Sequence, residues 1–263
     1  MKPVFIESVG IAAPGLAGWT QARAVLRGDE PYVVQELETY QPNLLPANER
    51  RRATPAVRLA FRVSEEAVAA STISAQDLAG VFATAEADTS ILHRICTALA
   101  EETRAVSPTD FHNSVHNAAA GYWSIAANAK LPSVTLAASD STFIAGFLEA
   151  CGLVHGDGYK VLLVVYDLRP PDLLLDARQI TCSAGVALVL TAERSERSLA
   201  RIEIAPCDND ETCMADVELE ALRLGNPACR TLPLLRLLAV GQGGEIRVRG
   251  TGGQRWSLQV QTP

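Results

Sequence analysis

The chain has 263 residues, 48% hydrophobic and 20% charged, an ordinary globular composition that can bury about 70–75% of its unfolded surface. A formal net charge of −7 and a pI near 5.2 argue against a nucleic-acid partner, which requires a broad basic face. No apolar run approaches the ~20 residues of a membrane span. The six cysteines, at 96, 151, 182, 207, 213 and 229, form no CxxC pair and are expected to be reduced thiols of a cytoplasmic protein.

Met1 to Glu7 (MKPVFIE) lacks a long apolar core and is expected to be a first strand, Val4–Val9, rather than a signal peptide. Gly18 to Leu26 suits a short helix that stops at Arg27-Gly28-Asp29. Residues 31–55 carry four prolines and no sustained period, which predicts a long binding or covering loop, with Glu49-Arg50-Arg51-Arg52 as a solvated basic face. Val57, Leu59, Ala60, Val63, Ala67 and Val68 mark an amphipathic helix over 56–70. A capped turn at 74–78 leads to a strand at 80–85, and Ile91 to Ala100 is a further helix. The segment 110–117 opens a small-residue helix, Ala118 to Ala129.

The most informative stretch is 131–146. Val134, Thr135 and Leu136 suit a strand, Ser139-Asp140-Ser141-Thr142 are helix-capping types, and Phe143, Phe147 and Cys151 recur at helical spacing. A strand turning sharply into a helix lifts its corner residue above a sheet, where the helix N-terminus stabilises negative charge. Lys160–Tyr166 and Thr181–Leu190 are apolar runs that suit buried strands, and the alternation up to this point predicts a doubly wound α/β sheet. Beyond Ala192 come a strand (199–204), helices (216–224 and 232–240) and a hairpin (245–249 with 255–260), expected to cap the same domain.

Motif chemistry at the corner is sparse. Ala137 and Ser141 flank Ser139 where a GxSxG elbow needs glycines, and no Walker A or dinucleotide loop occurs. His112 and His116 lie four apart without HExxH or a third ligand, so hydrogen-bonded histidines are expected and no metal site. A serine nucleophile at Ser139 would require one of these two histidines as base, the requirement of an acyltransferase or thioesterase.

In its order of motifs the chain resembles the N-terminal half of the β-ketoacyl synthases of the thiolase superfamily over residues 1–191. The opening strand with Gly10 and Gly15, the F-x-x-S-x-x-N-x-x-x-G pattern at Phe111, Ser114, Asn117 and Gly121, the strand and corner Pro132–Gly146, and Gly185–Leu190 all follow that order. The resemblance implies a single thiolase-like domain, 1–263: a mixed sheet with helices on both faces and a C-terminal half reduced to residues 192–263. It places Asp140 where the synthases carry their cysteine, and no histidine follows Leu190, so the condensing machinery is missing. A carboxylate is a poor acyl acceptor, and Asp140 is expected instead to cap the helix, a contribution of about 1 kcal/mol.

The implied role is that of a truncated chain-length factor of the aryl-polyene pigment type, without catalytic residues, cofactor or metal. Such a subunit pairs with a complete ketosynthase as a heterodimer and meets acyl carrier protein through the complex. The strand Pro132–Ala138, with Thr135 and Leu136, is the expected pairing edge. Phe111, Ser114, His116, Asn117 and Ala118 are expected beside the partner's tunnel. Tyr122 and Trp123 would either end a pocket there or serve as core aromatics.

Overall fold

The computed structural model describes residues 2–262. In chain order the elements are β1 (Val4–Ala12), α1 (Trp19–Arg27), α2 (Ala47–Arg52), α3 (Pro55–Ala70), β2 (Leu78–Ala83), α4 (Thr89–Ala100), α5 (Pro108–Asn113), α6 (Ala118–Ala126) and β3 (Ser133–Leu136). There follow α7 (Thr142–Gly156), β4 (Lys160–Asp167), α8 (Asp172–Leu175), β5 (Ala184–Thr191), β6 (Ala200–Pro206), α9 (Val217–Gly225), α10 (Leu232–Val240), β7 (Gly244–Arg249) and β8 (Arg255–Gln261). The strands form one eight-stranded sheet in the order β3-β2-β4-β5-β1-β6-β8-β7.

Helix ends follow their residues. The Thr54 hydroxyl accepts the Val57 N–H ahead of Pro55 at the first helical position of α3, and the Asp88 carboxylate accepts from Ser90 and Ile91 at the start of α4. Gly28 closes α1 in the left-handed region at φ 83°. Three short helices were not expected, namely α2 inside the irregular stretch, α5 and α8. Each has six residues or fewer, too short to display a 3.6-residue period, and α2 buries none of its side chains.

The sheet is mixed with helices on both faces, as the resemblance implies. β2 runs parallel to β3 and β4, but β5 is antiparallel to both β4 and β1. The segment between β4 and β5 holds only the four-residue α8, which cannot carry the chain back to the far end as a crossover helix would. Strand alternation splits the core between two faces. Val81, Leu163 and Leu188 point to α7, α1 and α10, whereas Phe82, Leu162 and Val189 point to α3 and α6. The C-terminal strands β6, β8 and β7 lengthen the sheet beyond β1.

One buried acid ties the N-terminal strand to two loops. Glu7 accepts from the Ser71 hydroxyl, the Thr72 N–H and hydroxyl, and the Ser195 hydroxyl. Burial pushes its carboxyl up, but these bonds outweigh that and leave it below the usual carboxylate range.

Candidate functional site

The strand-to-helix corner exists. β3 ends at Leu136, a 3-10 turn spans Ser139–Ser141, and α7 begins at Thr142. The Thr142 hydroxyl donates to the Ser139 carbonyl at 2.6 Å and accepts the Ala138 N–H at 3.2 Å, which pulls the corner tight. Ser139 consequently takes φ 50°, a left-handed conformation that costs a serine about 1–2 kcal/mol. Gly146 lets α7 seat this close to the sheet: a Cβ there would lie 2.9 Å from the Ala83 Cβ and 3.0 Å from Leu163 Cδ1.

Asp140 does not cap the helix. No side-chain cap bond forms at the 3-10 turn or at α7. The carboxylate turns outward to accept from Arg178 Nη1 at 2.7 Å, and Arg178 Nε donates to Glu86 at 2.7 Å. The reason is local: the Ala138 and Ser139 carbonyls and the Thr142 hydroxyl already close the turn, so the carboxylate is left to the nearest cation. The Glu86 turn is itself held from below by buried Asp167, whose Oδ1 accepts from the Thr84 hydroxyl and from the Ala85 and Glu86 N–H groups. Burial pushes the Asp167 carboxyl up to about 7 in spite of these bonds.

A cavity of about 390 Å³ opens at the corner, between Ser139 and the turn Gly250–Gly253, with Glu211, Arg230 and Arg249 on its wall. Arg230 is 14% exposed and lies 3.6 Å from Glu211, and burial pulls its guanidinium below the usual range. Among the described residues no histidine hydrogen-bonds Ser139. His116 Nε2 lies 3.1 Å from the Thr84 carbonyl, and the His112 ring stands edge-on to Tyr122 at 6.4 Å. The corner thus offers an exposed hydroxyl with no base in contact.

The other expected residues gather on the opposite side of β3. Asn117 precedes α6, and the Ser114 hydroxyl turns back to the Phe111 carbonyl at 2.8 Å. Asn117, Ala118 and Tyr122 line an apolar groove of about 480 Å³ with Leu45, Val115 and Ile125. Trp123 is not on that groove. It packs edge-on against Phe61 at 5.3 Å inside the core, which decides between the two readings of this side chain. Phe111 is 70% exposed and Ile125 77% exposed, with Leu92, Leu99 and Val115 also open to solvent along α4–α6. So many large apolar side chains on neighbouring elements mark a face that expects a cover.

β3 is the free edge of the sheet. The Pro132 and Leu136 carbonyls accept from Gly80 and Thr84 on the β2 side, so by strand alternation the groups of Ser133 and Thr135 point away from the molecule. The opposite edge is covered at its middle: Thr212 N–H donates to the Arg247 carbonyl and its hydroxyl accepts the Arg247 N–H, both at 2.9 Å. Glu86, Asp167, Arg178, Glu211, Arg230 and the 250–253 turn had no local signature that linked them to the corner. Only their positions in space do so.

The model of the family described as "Beta-ketoacyl synthase, N-terminal domain" matches residues 19–232. Among solved structures, a ketosynthase in complex with its chain length factor (ApeO with ApeC) from Xenorhabdus doucetiae matches with a TM-score of 0.74 at 23% identity, over 97% of this chain and 98% of the other. A type II polyketide acyl carrier protein complex with its hexaketide-bound ketosynthase (AntDE:AntF) matches with a TM-score of 0.78 at 12% identity, over 100% and 99%. The ishigamide ketosynthase/chain length factor matches with a TM-score of 0.74 at 14% identity, over 100% and 99%. No curated protein sequence matches the chain. At these identities the structural likenesses establish the thiolase-like fold, and the family match over most of the chain establishes descent. The chain belongs to the beta-ketoacyl synthase family through its N-terminal domain.

Proposed function

We propose that the chain is a chain-length-factor-like subunit, itself without condensing activity, that pairs with a complete ketosynthase in a type II polyketide system of the aryl-polyene kind. The observation that carries this is the open β3 edge beside the uncovered apolar face of α4–α6. An outward row of backbone groups on a strand packed against α6, whose exposed Ile125 shares a groove with Val115, is the surface that a second sheet of the same architecture can continue. The corner supports the same reading, because it holds Ser139 and an ion-paired Asp140 in place of a thiol, with no histidine in contact. Acyl carrier protein would meet the assembled pair in the cytoplasm, and Tyr122, on the groove wall, would help set the room left for the growing chain.

Co-expression with a complete ketosynthase tests the reading. The two chains are expected to copurify and to elongate a carrier-bound acyl chain together, while this chain alone condenses nothing. Tyr122→Ala is expected to change product length without abolishing turnover. An active, stable monomer obtained without a partner would overturn the assignment. Labelling of Ser139 by a fluorophosphonate would turn it towards a serine acyltransferase or thioesterase.

A further inference from the structure

A second cavity, of about 520 Å³, lies under the 37–40 segment where that segment crosses α3. Its walls are apolar at Leu37, Pro55, Leu59 and Leu168, and one side carries Arg58 and Arg62, a turn apart on α3. Neither guanidinium has a carboxylate within ion-pair distance among the described residues. Arg58 donates to the carbonyls of Ala53, Tyr40 and Arg50, and Arg62 to those of Glu38 and Ala17.

The nearest acids form their hydrogen bonds elsewhere, so that Arg62 meets Glu66 only through its field and otherwise lies over the Tyr40 ring at 5.9 Å. Glu65 accepts from the Tyr40 hydroxyl and the Asn43 and Leu44 N–H groups, and Glu66 from the Ile11 and Trp19 N–H groups. Glu38 is on the cavity wall, and it is its backbone carbonyl that Arg62 engages. Like charges one helical turn apart repel. An arginine carries five N–H donors in a fork that fits a carboxylate, so both side chains keep donors unspent after these carbonyl bonds. The volume falls within the range of small-molecule sites, and the mixture of apolar wall and a few convergent polar groups is typical of them.

We propose that this cavity binds an amphiphilic carboxylate, its head between Arg58 and Arg62 and its alkyl tail along Leu37, Leu59 and Leu168. This site is separate from the corner and from the β3 edge, so the proposal stands apart from the assignment above. The test is calorimetric titration of the purified full chain with sodium decanoate below its micelle concentration, with decanol and inorganic phosphate as half-ligands. Decanoate is expected to saturate a single site and to bind both half-ligands' targets at once, so each half-ligand alone is weaker by about tenfold or more. Arg62→Gln is expected to weaken decanoate by about tenfold, and Leu168→Trp, which fills the cavity and keeps both cations, to abolish binding. Decanol binding as tightly as decanoate overturns the head-group assignment, and phosphate doing so overturns the tail. Heats that do not saturate, or a Leu168→Trp chain that binds like the wild type, overturn the site. Should Arg62→Gln fail to fold, the Leu168→Trp comparison decides.

Discussion

Thr135→Pro separates the two jobs of β3. The Thr135 N–H points away from β2, so proline removes no hydrogen bond of the ladder within the chain. The folded chain is expected to lose only the strain of adjusting φ, about 1 kcal/mol. Pairing with a ketosynthase edge is a different matter. There the missing donor leaves a partner carbonyl unsatisfied in a closed interface, at about 1–3 kcal/mol. A central value of about 2 kcal/mol weakens association roughly thirtyfold. Val134→Pro is the matched control, because that N–H faces β2 and its loss should destabilise the chain itself by about 3 kcal/mol. Sedimentation equilibrium of each variant with the ketosynthase, together with thermal melts of the variants alone, reads both quantities. If Thr135→Pro pairs like the wild type, or melts lower than Val134→Pro, the outward assignment of this edge is wrong.

Three further outcomes follow from the buried and strained groups. Ser139→Gly should relieve the left-handed strain at φ 50°, a gain of about 1 kcal/mol or about 2–4 °C in Tm; a lower Tm would mean that the serine side chain holds the corner. The lowered pKa of Glu7 contributes stability that is present above its unfolded value near 4.5 and lost as pH falls through the folded one. Glu7→Gln should therefore cost about 2 kcal/mol at neutral pH and flatten the acid limb of a Tm-against-pH curve. Asp167 has the opposite sign. With its folded pKa raised from 3.8 to about 7, stability declines as pH rises through that interval. Asp167→Asn keeps an acceptor for Thr84, Ala85 and Glu86, and should raise Tm most at pH 8, less at pH 5 and least below the unfolded value of 3.8; equal slopes in the two proteins would refute the assignment.

Local sequence determined most of the elements, because their signals are short-range. The apolar run of β4, the Thr54-Pro55 start of α3 and the Gly28 stop of α1 each act within a few residues. So did the strand and corner at 131–146, whose small polar residues favour a tight turn between a β-branched run and a helical one. The tertiary structure decided what that corner does. Arg178 reaches Asp140 across 38 positions and Glu86 across 92, and no periodicity encodes such a meeting. It also decided the direction of β5, the placement of β3 rather than β7 as the bare edge, and the diversion of Glu65 and Glu66 away from Arg62. Each of these is set by which backbone and charged groups are left over after the sheet has closed. That remainder is a property of the whole packed chain, because satisfaction of a buried donor or charge depends on partners that folding alone brings near.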